Sequence, residues 1–290
     1  MDDRAFPALF RAADEAAQRR QKDYLRLIKT EYSLIFISAI LSTIPTKNAF
    51  FFVGCAAIFF LSIIVLLVRS LGKPEQDWYR ARALAESAKT IGWRYVMRAA
   101  PFGGGAEFKS PRQEFGEHLR QLIDANRSTV EKLSPIASAE DQITAEMVQA
   151  RALTIEERKT LYLTHRVRDQ RLWYSTKASF NRTAAARWVV VTSVAYGLAG
   201  LLSLARILLP TWQVWPIEPL IVFASSAIGW MQIKKFNELA AAYTVTAHEI
   251  GLIGPKFEGV TAEEGLSDLI NEAELAFSRE HTYWIARQTS

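Results

Sequence analysis

AFFFVGCAAIFFLSIIVLLV, residues 49–68, contains no charged side chain. Its length suits the roughly 30 Å hydrocarbon core of a bilayer, which a helix crosses in about 20 residues. It reads as the return arm of a hairpin whose outgoing arm is Tyr32–Ile44 and whose turn is Pro45-Thr46-Lys47-Asn48. A second hairpin runs out along Trp188–Leu209, turns through Pro210–Pro219 and returns along Leu220–Ile233. Tyr32–Ile44 and Leu220–Ile233 are short for a span. They need tilt, local thinning or snorkelling neighbours such as Lys29, Lys234 and Lys235. The competing reading is a pair of core hairpins in a large soluble domain; the expectation is an all-α membrane protein with four spans in two hairpins that continue into long cytoplasmic helices.

Basic residues set the expected orientation. Arg19, Arg20, Lys22, Arg26 and Lys29 precede the first hairpin, and Arg69 and Lys73 follow it. Arg182 and Arg187 precede the second, and Lys234 and Lys235 follow it. The turns hold only Lys47 in one hairpin and no basic residue in the other. Positive charge stays on the cytoplasmic side, so both termini and the central segment are expected inside, in a bacterial inner membrane. Trp212 and Trp215 suit the outer interface. Met1–Glu31 is rich in charge and lacks the apolar core of a secretory signal.

The remaining segments read as helices. Phe6, Phe10, Ala13, Ala17, Tyr24 and Ile28 recur at helical spacing, and Asp77–Ala99 has no proline and one glycine, Gly92. Pro101-Phe102-Gly103-Gly104-Gly105 breaks the chain; without a preceding strand or a following lysine–serine pair it is a loop rather than a phosphate cradle. Capping boxes are expected at Ser138–Asp141, Thr154–Glu157 and Thr261–Glu264. From Thr154 no breaker intervenes before Gly197, so one helix is expected to run on into the third span, with a kink near Asn181. The fourth span is expected to continue along Leu239, Tyr243, Thr246, Ile250 and Ile253. The last helix presents Leu266, Leu269, Ile270, Ala273, Phe277 and Trp284. The halves repeat one plan, a parallel repeat about the membrane normal: residues 1–100 form a first unit with its hairpin at 32–68, 101–153 a basic linker with helices, and 154–290 a second unit with its hairpin at 188–233.

Catalytic patterns are missing. Cys55 is the only cysteine, which excludes a disulfide within the chain. His118, His165, His248 and His281 are scattered without metal-ligand spacing, and no nucleophile elbow, Walker loop or dinucleotide fingerprint occurs. No enzyme activity, metal or cofactor is expected.

Hydroxyl and small residues within the spans carry two readings. Ser38 and Ser42 share one face, Thr192, Tyr196, Gly200 and Ser203 another, and Ser225 and Gly229 a third. They serve helix packing, or the hydroxyls of Ser38, Ser42, Thr192, Tyr196, Ser203 and Ser225 line a water-filled path. No charged residue lies mid-span, which argues against an ion-coupled pump but not against a gated pore. Four helices are too few to enclose a wide lumen, so a pore implies a cyclic homo-oligomer, with a tetramer the expected size.

The segment Ser70–Arg187 carries 20 lysines and arginines against 14 aspartates and glutamates, whereas Lys234–Ser290 carries 5 against 9. Arg166, Arg168, Arg171, Lys177, Arg182 and Arg187 interleave with Trp173, Tyr174 and Phe180. Arginine beside aromatic rings is one way to hold a nucleotide or oligonucleotide. Anchoring against anionic lipid and pairing with the acidic tail is the other reading.

At these residues the chain resembles a known family. The run Arg168-Asp169-Gln170-Arg171-Leu172-Trp173-Tyr174, followed by Lys177, Asn181 and a hairpin, is similar to a SLATT domain (SMODS- and SLOG-associating two-transmembrane effector). Ala13-Asp14, Ala17, Gln21 and Tyr24, with Ala85-Glu86, Lys89, Trp93 and Tyr95, resemble another subtype of it. Glu274, Ser278, Glu280-His281 and Trp284 fit its tail. A tandem of two such domains implies a membrane effector of bacterial antiphage defence, forming a pore or ion channel. The resemblance implies a partner nucleotidyltransferase and a nucleotide signal. In that reading Arg166, Arg168, Arg171, Trp173, Tyr174 and Lys177 are the candidate ligand-binding residues. The alternative is a non-conducting membrane scaffold that recruits partners through its helical cytoplasmic bundle.

Overall fold

The computed structural model describes residues 1–103, 110–135 and 139–289, with side chains through Phe277. Among these residues there is helix and turn but no strand. After a short 3-10 turn at Asp3–Ala5 come α1 (Ala8–Ser42), α2 (Ala49–Gly72), α3 (Pro74–Val96), α4 (Pro111–Ala125), α5 (Arg127–Val130) and α6 (Ala145–Ala152). Then follow α7 (Ile155–Tyr162), a π-helical segment (Leu163–Arg168), α8 (Asp169–Leu208), α9 (Ile217–Lys234), α10 (Phe236–Gly251), α11 (Ile253–Lys256) and α12 (Glu263–Thr289).

Two compact units result, and each takes segments from both halves of the sequence. The first comprises Met1–Gln21, Pro74–Tyr174 and Val245–Ser290; the second comprises Lys22–Lys73 and Ser175–Thr244. The first unit has an ordinary aromatic core. Phe6, Trp93, Tyr162 and Phe257 form a continuous chain with ring centroids 5.3, 5.4 and 5.8 Å apart. Gly92 admits Phe6, whose ring would stand 3.0 Å from a Cβ there. A second cluster joins Tyr95, Phe102 and Phe115. Two arginines hold the backbone beside it: Arg151 Nη2 donates to the Phe102 carbonyl at 2.6 Å, and the buried Arg158 donates from Nη1 to the Met97 carbonyl at 2.7 Å.

The second unit has little core. No residue of α2 is buried, and Phe50, Leu71 and Leu208 are 87%, 78% and 80% exposed. The runs Ala49–Val96 and Ile155–Leu208 each contain a stretch long and apolar enough to cross a membrane, and these stretches are 0% and 17% buried within the protein. An apolar surface of this kind is far larger than water tolerates on a soluble monomer. The shorter arms on α1 and α9 pack together through Phe36 and Phe223, with centroids 5.9 Å apart. Gly229 is glycine because a Cβ there would collide with the Tyr32 hydroxyl. Arg69 of α2 pairs with Glu31 of α1 at 3.1 Å. The buried positions are mostly small, with Ala39 on α1, Ala185, Ala195 and Ala199 on α8, and Ala224 and Ala227 on α9, as close helix approach requires.

Several expectations of local structure change. The helix capped by Thr154 is continuous to Leu208 and includes the π segment at Leu163–Arg168; the Asn181 side-chain amide donates to the Lys177 carbonyl at 2.7 Å. α9 does not run on into α10: Lys235 is left-handed at φ 47°, and its N–H caps the Met231 carbonyl. Lys73 does the same between α2 and α3 at φ 43°, capping Arg69. Each hairpin thus returns through a left-handed lysine. The capping box at Thr154–Glu157 forms, and another forms at Ser110–Gln113. Ser138 lies outside the described residues, and α12 begins at Glu263, two residues after Thr261. Phe6, Phe10, Ala13, Ala17, Tyr24 and Ile28 are all buried, as are Leu266, Ile270, Ala273 and Phe277. The side chains of Ser278 and Trp284 lie outside the described residues, as do Gly104 and Gly105.

Candidate ligand cleft and the helix that carries it

The capping box on Thr154 starts the helix, and the π turn then splits its side chains between two environments. An i→i+5 turn adds a residue to the helix, and such turns occur often at functional sites. Tyr162 and Arg166 point inward to Glu274 of α12. Arg166 donates from Nε and Nη2 to the two carboxylate oxygens at 2.9 and 2.8 Å, Tyr162 donates its hydroxyl at 2.8 Å, and Thr90 of α3 donates at 2.8 Å. Arg166 and Glu274 are both buried, and the guanidinium lies over the Phe277 ring at 4.6 Å. Burial alone would pull the Arg166 guanidinium down; the bonded Glu274 carboxylate outweighs it and holds the group above its ordinary value. Burial, then the Glu274 charge, push the Tyr162 phenol well above 10. A paired, fully bonded charge of this kind is tolerable in a core where an unpaired one is not.

Leu163, Val167, Arg168 and Arg171 face the other way, into a cleft of about 650 Å³. Its opposite wall is the end of α10, α11 and the loop beyond, where Gly251, Gly254 and Gly259 expose backbone. A Cβ on Gly251 would sit 3.1 Å from Arg171 Cζ, so glycine lets the guanidinium lie against the main chain. Gly259 is left-handed at φ 77°, a conformation that disfavours any side chain. Lys159 also lines the cleft, but its ammonium is shared with Glu156 at 3.1 Å and the Val260 carbonyl at 3.2 Å. Among the described residues Glu258 is the one carboxylate on the wall. Neither Arg168 nor Arg171 has an ion-pair partner among the described residues. Two unengaged guanidiniums facing glycine backbone across a small cleft form an anion site by chemistry, since a guanidinium fork grips a phosphate with two bonds.

The six candidate ligand residues therefore part company. Arg168 and Arg171 share the cleft; Arg166 is committed to Glu274. Tyr174 is buried, with Trp173 packed edge-on to it at 4.9 Å. Lys177 belongs to the second unit. The glycine wall and Lys159 escaped sequence reading because single glycines far apart in the chain carry no pattern until the fold gathers them. The candidate pore residues divide similarly. Ser38 and Thr192 are buried, while Ser42, Tyr196, Ser203 and Ser225 are exposed. Ser38, Ser42 and Ser203 donate to carbonyls of their own helices at 3.0, 2.8 and 2.8 Å. The Thr192 hydroxyl is buried and has no hydrogen-bond partner among the described residues.

Residues 7–159 match SLATT_3, the SMODS and SLOG-associating 2TM effector domain 3, and residues 162–284 match SLATT_1, the SMODS and SLOG-associating 2TM effector domain 1. No curated protein and no solved structure matches the chain. With two matches end to end and apolar helices of membrane type, the chain belongs to the SLATT family of membrane-associated effectors as a tandem of two SLATT domains.

Proposed function

We propose that this tandem SLATT protein is an oligomeric, pore-forming effector of bacterial antiphage defence. In this reading its conductance is controlled by a nucleotide or oligonucleotide made by a partner nucleotidyltransferase. The observation that carries the reading is α8, which has Arg171 in its first turn and runs unbroken to the exposed apolar residues at Leu208. A ligand gripped by Arg168 and Arg171 acts directly on a helix that enters the apolar unit. It shifts a closed–open equilibrium by its difference in affinity for the two states. The exposed apolar faces of α2 and α8 take lipid on one side and further copies on the other. The reading places four spans in the inner membrane with both termini cytoplasmic, and the subunits close into a ring, a tetramer at the simplest.

Ion flux from liposomes containing the purified protein tests it. The parent conducts when the signal is added, and the double variant R168A/R171A assembles but no longer responds. Phosphate contacts also make the response weaken with salt. Absence of flux from the parent under every nucleotide tried would favour the scaffold reading, and an unaltered response of the double variant would remove the cleft from the mechanism.

A further inference from the structure

The cleft of Arg168 and Arg171 carries one charge of the opposite sign. Glu258 stands on its wall, exposed, and its carboxylate has no hydrogen-bond or ion-pair partner among the described residues. The turn that presents it is held firmly. The Glu258 N–H donates to the Pro255 carbonyl at 3.1 Å, and the Phe257 N–H donates to the Gly254 carbonyl at 3.1 Å. Phe257 is buried against the Tyr162 ring, with centroids 5.8 Å apart, and the chain leaves the turn through the left-handed Gly259. Lys159, the third cation of the cleft, is bonded to Glu156 and the Val260 carbonyl and leaves Glu258 unmatched. Leu163, Val167, Ile250 and Pro255 add apolar surface. A carboxylate weakens a site for a bare anion, since like charges repel. It suits a ligand that brings N–H donors as well as a phosphate, and a cleft of about 650 Å³ has room for one.

We infer that the cleft takes a guanine nucleotide, its phosphate on Arg168 and Arg171 and the N–H edge of its base on Glu258. The inference rests on the nucleotide reading of the cleft proposed above and deepens it by naming the base. An ionised carboxylate offers two acceptor oxygens and no donor. Guanine alone among the common bases sets two N–H donors side by side on its pairing edge. Adenine and cytosine place a ring-nitrogen lone pair beside the amino group, and uracil places a carbonyl on each side of its single N–H. Each of those bases therefore turns an acceptor toward a carboxylate oxygen. Paired bonds to an ionised acceptor are stronger than neutral ones, and a site that accepts from a given donor rejects the analogue lacking it. The two guanidiniums supply affinity for any nucleotide, and Glu258 is the residue that tells one base from another.

The test is titration calorimetry of the full-length protein in nanodiscs with GMP, IMP, AMP, UMP and inorganic phosphate. The parent binds GMP more tightly than AMP or UMP, and more tightly than IMP, which lacks the 2-amino group, by about tenfold or more. E258Q melts with the parent, because the Glu258 side chain makes no bond within the described residues. It loses the preference for GMP over IMP and holds inorganic phosphate at least as tightly as the parent, since a negative charge has left the cleft. R168A/R171A loses GMP and phosphate together. A parent that binds all the nucleotides alike, or an E258Q that keeps the full preference for GMP over IMP, overturns the inference and leaves nucleotide control standing. Loss of phosphate binding in E258Q overturns it too, since Glu258 would then shape the cleft and not read a base. A parent that binds none of the nucleotides, with or without phosphate, overturns the inference together with the nucleotide reading beneath it.

Discussion

Replacing Glu274 by leucine removes one side chain and leaves three donors without an acceptor. Arg166 keeps its charge in a site where it is 1% exposed, and breaking a buried pair by removing one partner costs about 3–5 kcal/mol. The hydroxyls of Tyr162 and Thr90 lose their bonds to the same carboxylate, at about 1 kcal/mol each. The single variant should therefore lose about 5 kcal/mol or more, a large share of the roughly 5–15 kcal/mol that holds a folded domain. R166M/E274L removes both charges and should cost much less than the sum of its singles, because no ion is stranded. Urea unfolding in mild detergent, followed by tryptophan emission, measures the cycle; Trp93 lies 5.4 Å from Tyr162 and reports on this core. The reasoning fails if E274L stays within about 1 kcal/mol of the parent, or if the double variant costs as much as the two singles combined.

Other measurements test separate parts of the structure. Because the folded-state value of Tyr162 is raised, its contribution to stability is complete below about pH 10 and declines as pH rises toward the folded value, by about 1.4 kcal/mol per pH unit; Y162F should flatten that alkaline decline. The bonds from the Thr154 backbone N–H and then from its hydroxyl hold the Glu157 carboxyl below its ordinary value, so the stability this cap adds is present above about pH 4.5 and lost as pH falls through the folded value; T154A should reduce that acid dependence but not abolish it, since the N–H of residue 154 still donates. G229A should destabilise by about 1–3 kcal/mol through overpacking against Tyr32, and Y32A in the same chain should recover most of it on thermal unfolding. T192V should raise stability by about 1 kcal/mol, since it removes a buried hydroxyl that makes no bond; a fall would show that water reaches Thr192. Cysteines at Asn48 and Gln213 should label from the periplasmic side and those at Ser110 and Ser290 only after permeabilisation; protection of Gln213 in spheroplasts would overturn the four-span topology.

Local physics was readable from the chain alone. Residues 49–68 hold no charge, and lipid or another apolar surface is their only stable surrounding whatever the fold. The helical periodicity of Phe6–Ile28 and Leu266–Phe277 placed their buried faces correctly, because the residues that alternate with them are charged and must face water. The capping box at Thr154 was legible for the same reason: both partners lie within one turn. Tertiary structure decided what depends on partners distant in sequence. Arg166, Arg168 and Arg171 look alike in a row, yet the π turn sends the first to Glu274, more than a hundred residues away, and the other two to a cleft walled by Gly251 and Gly254. A guanidinium's role is fixed by the nearest carboxylate, and no spacing rule records that distance. The break at Lys235 was equally hidden, since a left-handed lysine costs little enough that packing can impose it on a sequence without a glycine signal, whereas Gly72 and Pro74 flank the break at Lys73.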